Sequence, residues 1–212
     1  KQHPVGMTSD GGGDAIDDTS YLLKSPADWV SLGWDSITQN PKTNPLPAPA
    51  TKVSILDTDH IFGGPADTQW FWKSFVRGHN PINMEATQNS IPSWIGKGSW
   101  NDPNNPLLPL GQKAMGYTNT YAKKMNIASM IPRGDLTSTT YALVNPGKEY
   151  LAYQPTSSAA FTVNLTAGIY TYEWFNPASG QVASSGTITA AAGNKSFSAP
   201  FSGDAVLYLK VT

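Results

Sequence analysis

Asp57 and Asp59, followed at once by His60, close the short apolar run Lys52-Val53-Ser54-Ile55-Leu56. Two carboxylates and an imidazole at such a boundary have the makings of acid–base chemistry. Two residues apart on an extended segment, the carboxylates would share a face, and like charges held that close push one pKa up, as a general acid requires. His60 can orient or protonate a neighbour. Glu85, which ends the stretch Pro81-Ile82-Asn83-Met84, offers a third carboxylate at a neighbouring strand end. Two carboxyl groups facing each other across a scissile bond are the equipment of glycoside hydrolysis, about 5 to 5.5 Å apart for retention and more for inversion. The plainer reading fits the same pattern: Asp57 and Asp59 cap the next helix and His60 packs locally.

Sugar binding asks for exposed aromatics that stack on ring faces, with acids and amides on the hydroxyls. Trp34, Trp94 and Trp100 fall in predicted loops near the same rim, where they either stack on a sugar or plug the loop interior. Arg77 and His79 end a predicted helix and either cap it or meet the following strand, with Arg77 also within reach of a rim carboxylate. Trp70 and Trp72 have the pattern of core residues, as does Trp174 within a strand. Asp10, Asp14, Asp17 and Asp18 in a Gly-rich loop have the ligand type for calcium. Their spacing departs from the EF-hand, and a solvated acidic loop accounts for them equally well. Nothing resembles a phosphate loop, a nucleophile elbow or a zinc-binding helix.

The elements that must position these residues come in two styles. A run of four to six apolar residues bounded by turns suits a parallel strand covered on both faces, whose carboxyl end meets the ligand cleft. After the Val53 run, Gly63-Gly64-Pro65 makes a turn, and residues 66–78 read as a helix with Trp70, Phe71, Phe75 and Val76 on one face. Residues 3–8 and Trp29-Val30-Ser31-Leu32-Gly33 read as further short strands. Ser25-Pro26-Ala27-Asp28 has the form of a helix start. Residues 86–110 read as a long loop, and residues 111–130 as an amphipathic helix with Met115, Thr118, Ala122, Met125 and Ala128 on one side. From Leu136 the period changes to two. Seven short alternating segments, separated by turns such as Asn145-Pro146-Gly147, Asn176-Pro177-Ala178-Ser179-Gly180 and Ala192-Gly193-Asn194, predict a β-sandwich.

Composition divides the chain at the same place. Residues 1–135 carry eleven of the fourteen Lys and Arg, twelve of the fifteen acids and six of the seven Trp, whereas residues 136–212 are rich in Thr, Ser, Ala, Val and Tyr. The expected fold is therefore α/β plus all-β: half of a (β/α)8 barrel over 1–135, then a β-sandwich over 136–212. A net charge of −1 without a basic run argues against nucleic acid. No apolar run reaches membrane-spanning length. The lack of Cys excludes disulfide scaffolds and thiol nucleophiles. Low charge with abundant Thr, Ser, Asn and Gly fits a secreted, extracellular or periplasmic protein. The opening Lys1-Gln2-His3-Pro4 has no Met and no signal peptide, which suggests a cut inside something longer.

Several motifs in order, His3-Pro4-Val5-Gly6-Met7-Thr8, Ser25-Pro26-Ala27-Asp28-Trp29, Asp57-Thr58-Asp59-His60, Trp72-Lys73-Ser74-Phe75-Val76-Arg77-Gly78 with Asn80-Pro81, and Met115-Gly116-Tyr117, resemble the second half of the apiosidase-like (β/α)8 glycoside hydrolases. The tail resembles the β-sandwich that follows their barrel, a domain labelled collagen-binding. It does so through Ala142-Leu143-Val144-Asn145-Pro146-Gly147-Lys148-Glu149-Tyr150, Glu173-Trp174-Phe175-Asn176-Pro177 and Ala199-Pro200-Phe201-Ser202-Gly203-Asp204-Ala205. The resemblance implies a retaining barrel entered at about its fifth strand, with the seventh-strand carboxylate mapping to Asp57 or Asp59. The wider superfamily commonly has Glu there. It also implies an acid/base Glu after Asn on the fourth strand, and none of Glu85, Glu149 and Glu173 follows Asn. Hydrolysis of a plant or microbial polysaccharide or oligosaccharide would then require the missing N-terminal half-barrel or a homodimer partner. The competing account is a non-catalytic carbohydrate-binding or adhesive module.

Overall fold

The computed structural model describes residues 3–8, 20–32, 43–48, 51–58, 67–83, 105–156 and 159–212. The chain divides into two compact units, one of residues 1–75 and 79–115, the other of residues 76–78 and 116–212. In the first, strands β1 (Gly6–Thr8), β2 (Trp29–Ser31), β3 (Val53–Asp57) and β4 (His79–Ile82) form a parallel sheet in chain order. Parallel neighbours need a crossover between them, and helices α1 (Ser20–Lys24) and α2 (Gln69–Val76) lie in two of the three intervals. Pro81 is accommodated in β4 because that strand ends the sheet order among the described residues, where a missing N–H leaves no ladder bond to β3 unmade.

The register places Trp29, Ser31, Val53, Ile55 and Asp57 on one face and Val30, Ser54 and Leu56 on the other. The second face is the helix-covered one. Leu56 packs with Trp70, Phe71, Leu108 and Ala114, and Val30 with Leu22 and Leu32. His79 is buried there, its Nε2 2.7 Å from the Leu46 carbonyl oxygen and its Nδ1 2.8 Å from Ser54 Oγ. A carbonyl only accepts, so Nε2 carries the proton, and in the neutral ring Nδ1 accepts from the Ser54 hydroxyl. At the opposite end of β3, Lys52 Nζ donates to the Ser25 and Ala27 carbonyls at 2.8 and 2.7 Å, fixing where the strand begins.

Gly6 pairs with Trp29, whose indole lies so close that a Cβ built on Gly6 would come within 1.9 Å of it. Overpacking of this kind costs about 1–3 kcal/mol. Gly6→Ala is therefore expected to lower the chemical denaturation midpoint and change the tryptophan fluorescence of the folded state.

Three helical expectations change. Ser25 follows α1 instead of starting a helix: its hydroxyl donates to the Leu22 carbonyl at 2.6 Å and receives the Ala27 N–H at 3.4 Å, so a residue type suited to an N-cap here closes a C-terminus. Helix α2 is capped by Asp67, whose Oδ1 accepts the Trp70 N–H at 3.2 Å, and every residue from Trp70 to Val76 is buried, Lys73 and Ser74 included, so there is no polar stripe. Helix α3 runs from Leu107 to Lys124, one turn earlier than its periodicity suggests. Its start is set by Asn105, whose side chain accepts the Leu107 N–H at 2.9 Å, with Pro106 just ahead of the helix where no N–H is needed. Asn105→Ala is expected to reduce stability by about 1 kcal/mol in urea titration.

The second unit is antiparallel. One sheet has the order β10 (Gln181–Ala190), β9 (Gly168–Asn176), β12 (Ala205–Val211), β7 (Glu149–Gln154), β6 (Ala142–Asn145), β5 (Ile131–Pro132), and a two-stranded sheet pairs β11 (Gly193–Phe197) with β8 (Phe161–Leu165). Strand β12 thus sits between β7 and β9. One core is shared by both sheets, including Val144, Tyr150, Phe161, Val163, Tyr170, Trp174, Phe197 and Leu207. The turns follow the residues that permit them: Gly147, Gly180 and Gly193 all have positive φ.

Alternation gives way in β7, which is buried at all six positions. Its second face lies on the outer side of the sheet, where Tyr117 and Tyr121 of α3 meet Phe175 and Tyr208 edge to face. Tyr121 donates to Glu173 Oε1 at 2.6 Å, and Lys124 pairs with Glu173 Oε2. Glu149, buried despite its charge, accepts from Tyr208 at 2.8 Å, Lys210 at 2.9 Å and the Asn126 N–H at 3.0 Å. Helix α3 ends at Lys124, and the expected last turn is instead a 3-10 turn over Ile127–Ser129. The physical reason is that the Asn126 N–H is directed to Glu149.

Candidate functional site

Asp57 is the last residue of β3, at the carboxyl end of the parallel sheet and on the face opposite the helices. Odd-numbered residues of β3 share that face, so Leu56 anchors the strand in the core while Asp57 turns away from it. The carboxylate is 8 % exposed, and its Oδ2 accepts the Ser31 hydroxyl at 2.8 Å. Ser31 is also the last residue of its strand and is buried. Next to the pair, the Thr58 N–H donates to the Ile82 carbonyl at 3.1 Å, and the Thr58 hydroxyl lies 3.4 Å from Asn83 Oδ1. Three successive strand ends therefore contribute Ser31, Asp57 with Thr58, and Asn83. A carboxylate bonded to a serine hydroxyl at the strand termini can move a proton, attack or brace a developing charge, and bond sugar hydroxyls.

Of the residues expected at the rim, Asp59, His60, Glu85, Trp34, Trp94 and Trp100 lie outside the described residues, as do Asp10, Asp14, Asp17 and Asp18. Arg77 lies in the second unit. Its guanidinium sits 4.5 Å from the centroid of the Tyr141 ring, and Nη2 is 3.4 Å from Thr140 Oγ1. Burial lowers its pKa from the ordinary value, partly offset by Tyr141. Among the described residues no group of three or more His, Asp or Glu side chains gathers as a metal site would require. No helix among them is long and apolar enough to cross a membrane.

Ser31, Thr58 and Asn83 escape a search for acids, bases and aromatics. Their one signal is position: each is a polar residue at the carboxyl end of a short apolar run, the end at which parallel sheets place their functional groups.

No protein-family model matches the sequence, and no curated protein matches it. Solved structures do. A structure described as a glycoside hydrolase aligns at a TM-score of 0.51 and 14% identity over 78% of this chain and 44% of its own. A glycoside hydrolase family 5 protein from Bacteroides vulgatus aligns at a TM-score of 0.53 and 13% identity, covering 77% of this chain and 42% of its own. At such identities the likeness is one of fold, and the chain spans less than half the length of either structure.

Proposed function

We propose that this chain is part of a glycoside hydrolase acting on plant or microbial polysaccharide or oligosaccharide, with Asp57 as one of its two catalytic carboxyl groups. The observation that carries the reading is the position of Asp57: a carboxylate at the carboxyl end of a parallel strand, on the face opposite the described helices, bonded to the hydroxyl that ends the neighbouring strand. The glycoside hydrolase fold of the similar structures supports it. In this reading the four parallel strands are half of a (β/α)8 barrel, the antiparallel unit is a β-sandwich, and the protein works outside the cytoplasm.

The second carboxyl group comes from Asp59, from Glu85 or from the polypeptide that completes the barrel, either a preceding half or a second copy. Trp34, Trp94 and Trp100 hold the sugar by stacking, with His60 as a polar partner. Chemistry of this kind asks only for a proton donor, an unprotonated partner and a water, so the reading requires no cofactor.

The test is release of reducing ends from a panel of plant and microbial polysaccharides by the purified chain, alone and mixed with the polypeptide encoded upstream of it. Hydrolysis by either preparation supports the proposal. Retention on a polysaccharide column with no turnover in either preparation would replace it with a carbohydrate-binding module.

A further inference from the structure

From the geometry at the ends of β2 and β3 we infer that Ser31 is a positioning residue for Asp57, fixing the direction and charge state of its carboxylate through the bond from Ser31 Oγ to Oδ2. The functional meaning of this rests on the reading of Asp57 as a catalytic carboxylate.

Ser31 is suited to the task by its backbone. It is paired on both sides, to Thr8 of β1 and Ile55 of β3, so its Cα has little freedom. Asp57 lies two residues beyond Ile55 on the same face, diagonal to Ser31, and the hydroxyl reaches its carboxylate there. The hydroxyl has one proton to give, and a carboxylate 2.8 Å away takes it. Both side chains are almost fully buried, 3 % and 8 % exposed, so water offers Oδ2 little to replace the bond. A hydrogen bond donated to the ionised form of an acid favours that form.

The experiment follows the Asp57 carboxyl directly. The 13C signal of its Cγ is titrated in the full chain with the native residue at 31, in Ser31→Ala, in the near-isosteric Ser31→Cys with its weak S–H donor, and in Ser31→Thr, which keeps the hydroxyl. Asp59 and His60 are common to all four proteins, so a difference reports residue 31. Ser31→Ala and Ser31→Cys are each expected to raise the Asp57 midpoint by about one pH unit, the equivalent of one charged hydrogen bond. Ser31→Thr is expected to restore it. Unchanged midpoints in whichever of the Ala and Cys variants folds, or a Thr variant no different from Ala, would overturn the inference. This readout needs no substrate, so it is independent of the polysaccharide panel: a chain that cleaves no glycan defeats the hydrolase reading while the Ser31–Asp57 link is still decided.

Discussion

Asp57→Asn is expected to reduce glycan hydrolysis by about two to four orders of magnitude, the usual contribution of a positioned acid or base, with little change in stability. The amide has nearly the volume of the carboxyl and keeps an oxygen where Oδ2 accepts the Ser31 hydroxyl, so β3 should end as it does now. What disappears is the negative charge and the ability to take a proton. Initial rates on a polysaccharide that the native protein cleaves, set beside a thermal melt, separate the two effects. Equal rates for native and variant would move the catalytic carboxyl to Asp59 or Glu85. A collapsed melt would instead make Asp57 a structural residue of the strand end.

The second large effect belongs to Glu149. Glu149→Ala is expected to cost about 2–4 kcal/mol, because it leaves the buried Tyr208 hydroxyl and the Asn126 N–H without their acceptor. The third donor matters less, since half-exposed Lys210 can return to water. The same carboxyl makes stability fall in acid. Burial pushes its pKa up, but the bonds from Lys210, the Asn126 N–H and Tyr208 outweigh burial and hold it below the ordinary value. The unfolded chain therefore binds this proton more tightly than the folded one. The contribution is complete above the unfolded pKa, about 4.3 for Glu, and drains away as pH falls through the folded value. Urea midpoints between pH 6 and pH 3 should fall less steeply in Glu149→Gln than in the native chain. Parallel curves would assign the acid sensitivity elsewhere.

Legibility in the sequence depends on how local each decision is. Seven of the eight antiparallel strands described, β6 to β12, and their turns can be read to within a few residues, because alternation and residues such as Gly147 and Gly180 act over two to four positions. The β3 strand and its terminal Asp57 are legible for the same reason. Ser25-Pro26-Ala27-Asp28 is not: the same residues fit either end of a helix, and the hydrogen bond to Leu22 decides which. The early start of α3 is hidden by Pro106 and Pro109, which read as breakers yet are harmless in a first turn. Glu149 looks like the polar member of an alternating strand, and only the arrival of Tyr208, Lys210 and Asn126 makes it an interior residue. Ser31 is the hardest case. Its partner is 26 residues away, and nothing within its three-residue strand distinguishes it from a loop serine.

The place of β12 between β7 and β9 has a consequence for biosynthesis. Of the strands in the six-stranded sheet it is the last to be made, yet it is the one that pairs with both β7 and β9 and so joins them. Without residues 205–211 the β5–β6–β7 ladder and the β9–β10 ladder have no strand between them, and β7 and β9 each present an edge that β12 would otherwise cover. At translation rates of about 5–20 residues per second the interval before β12 is made is short. A stop codon before Ala205 makes it permanent, leaving both ladders without the strand that would unite them.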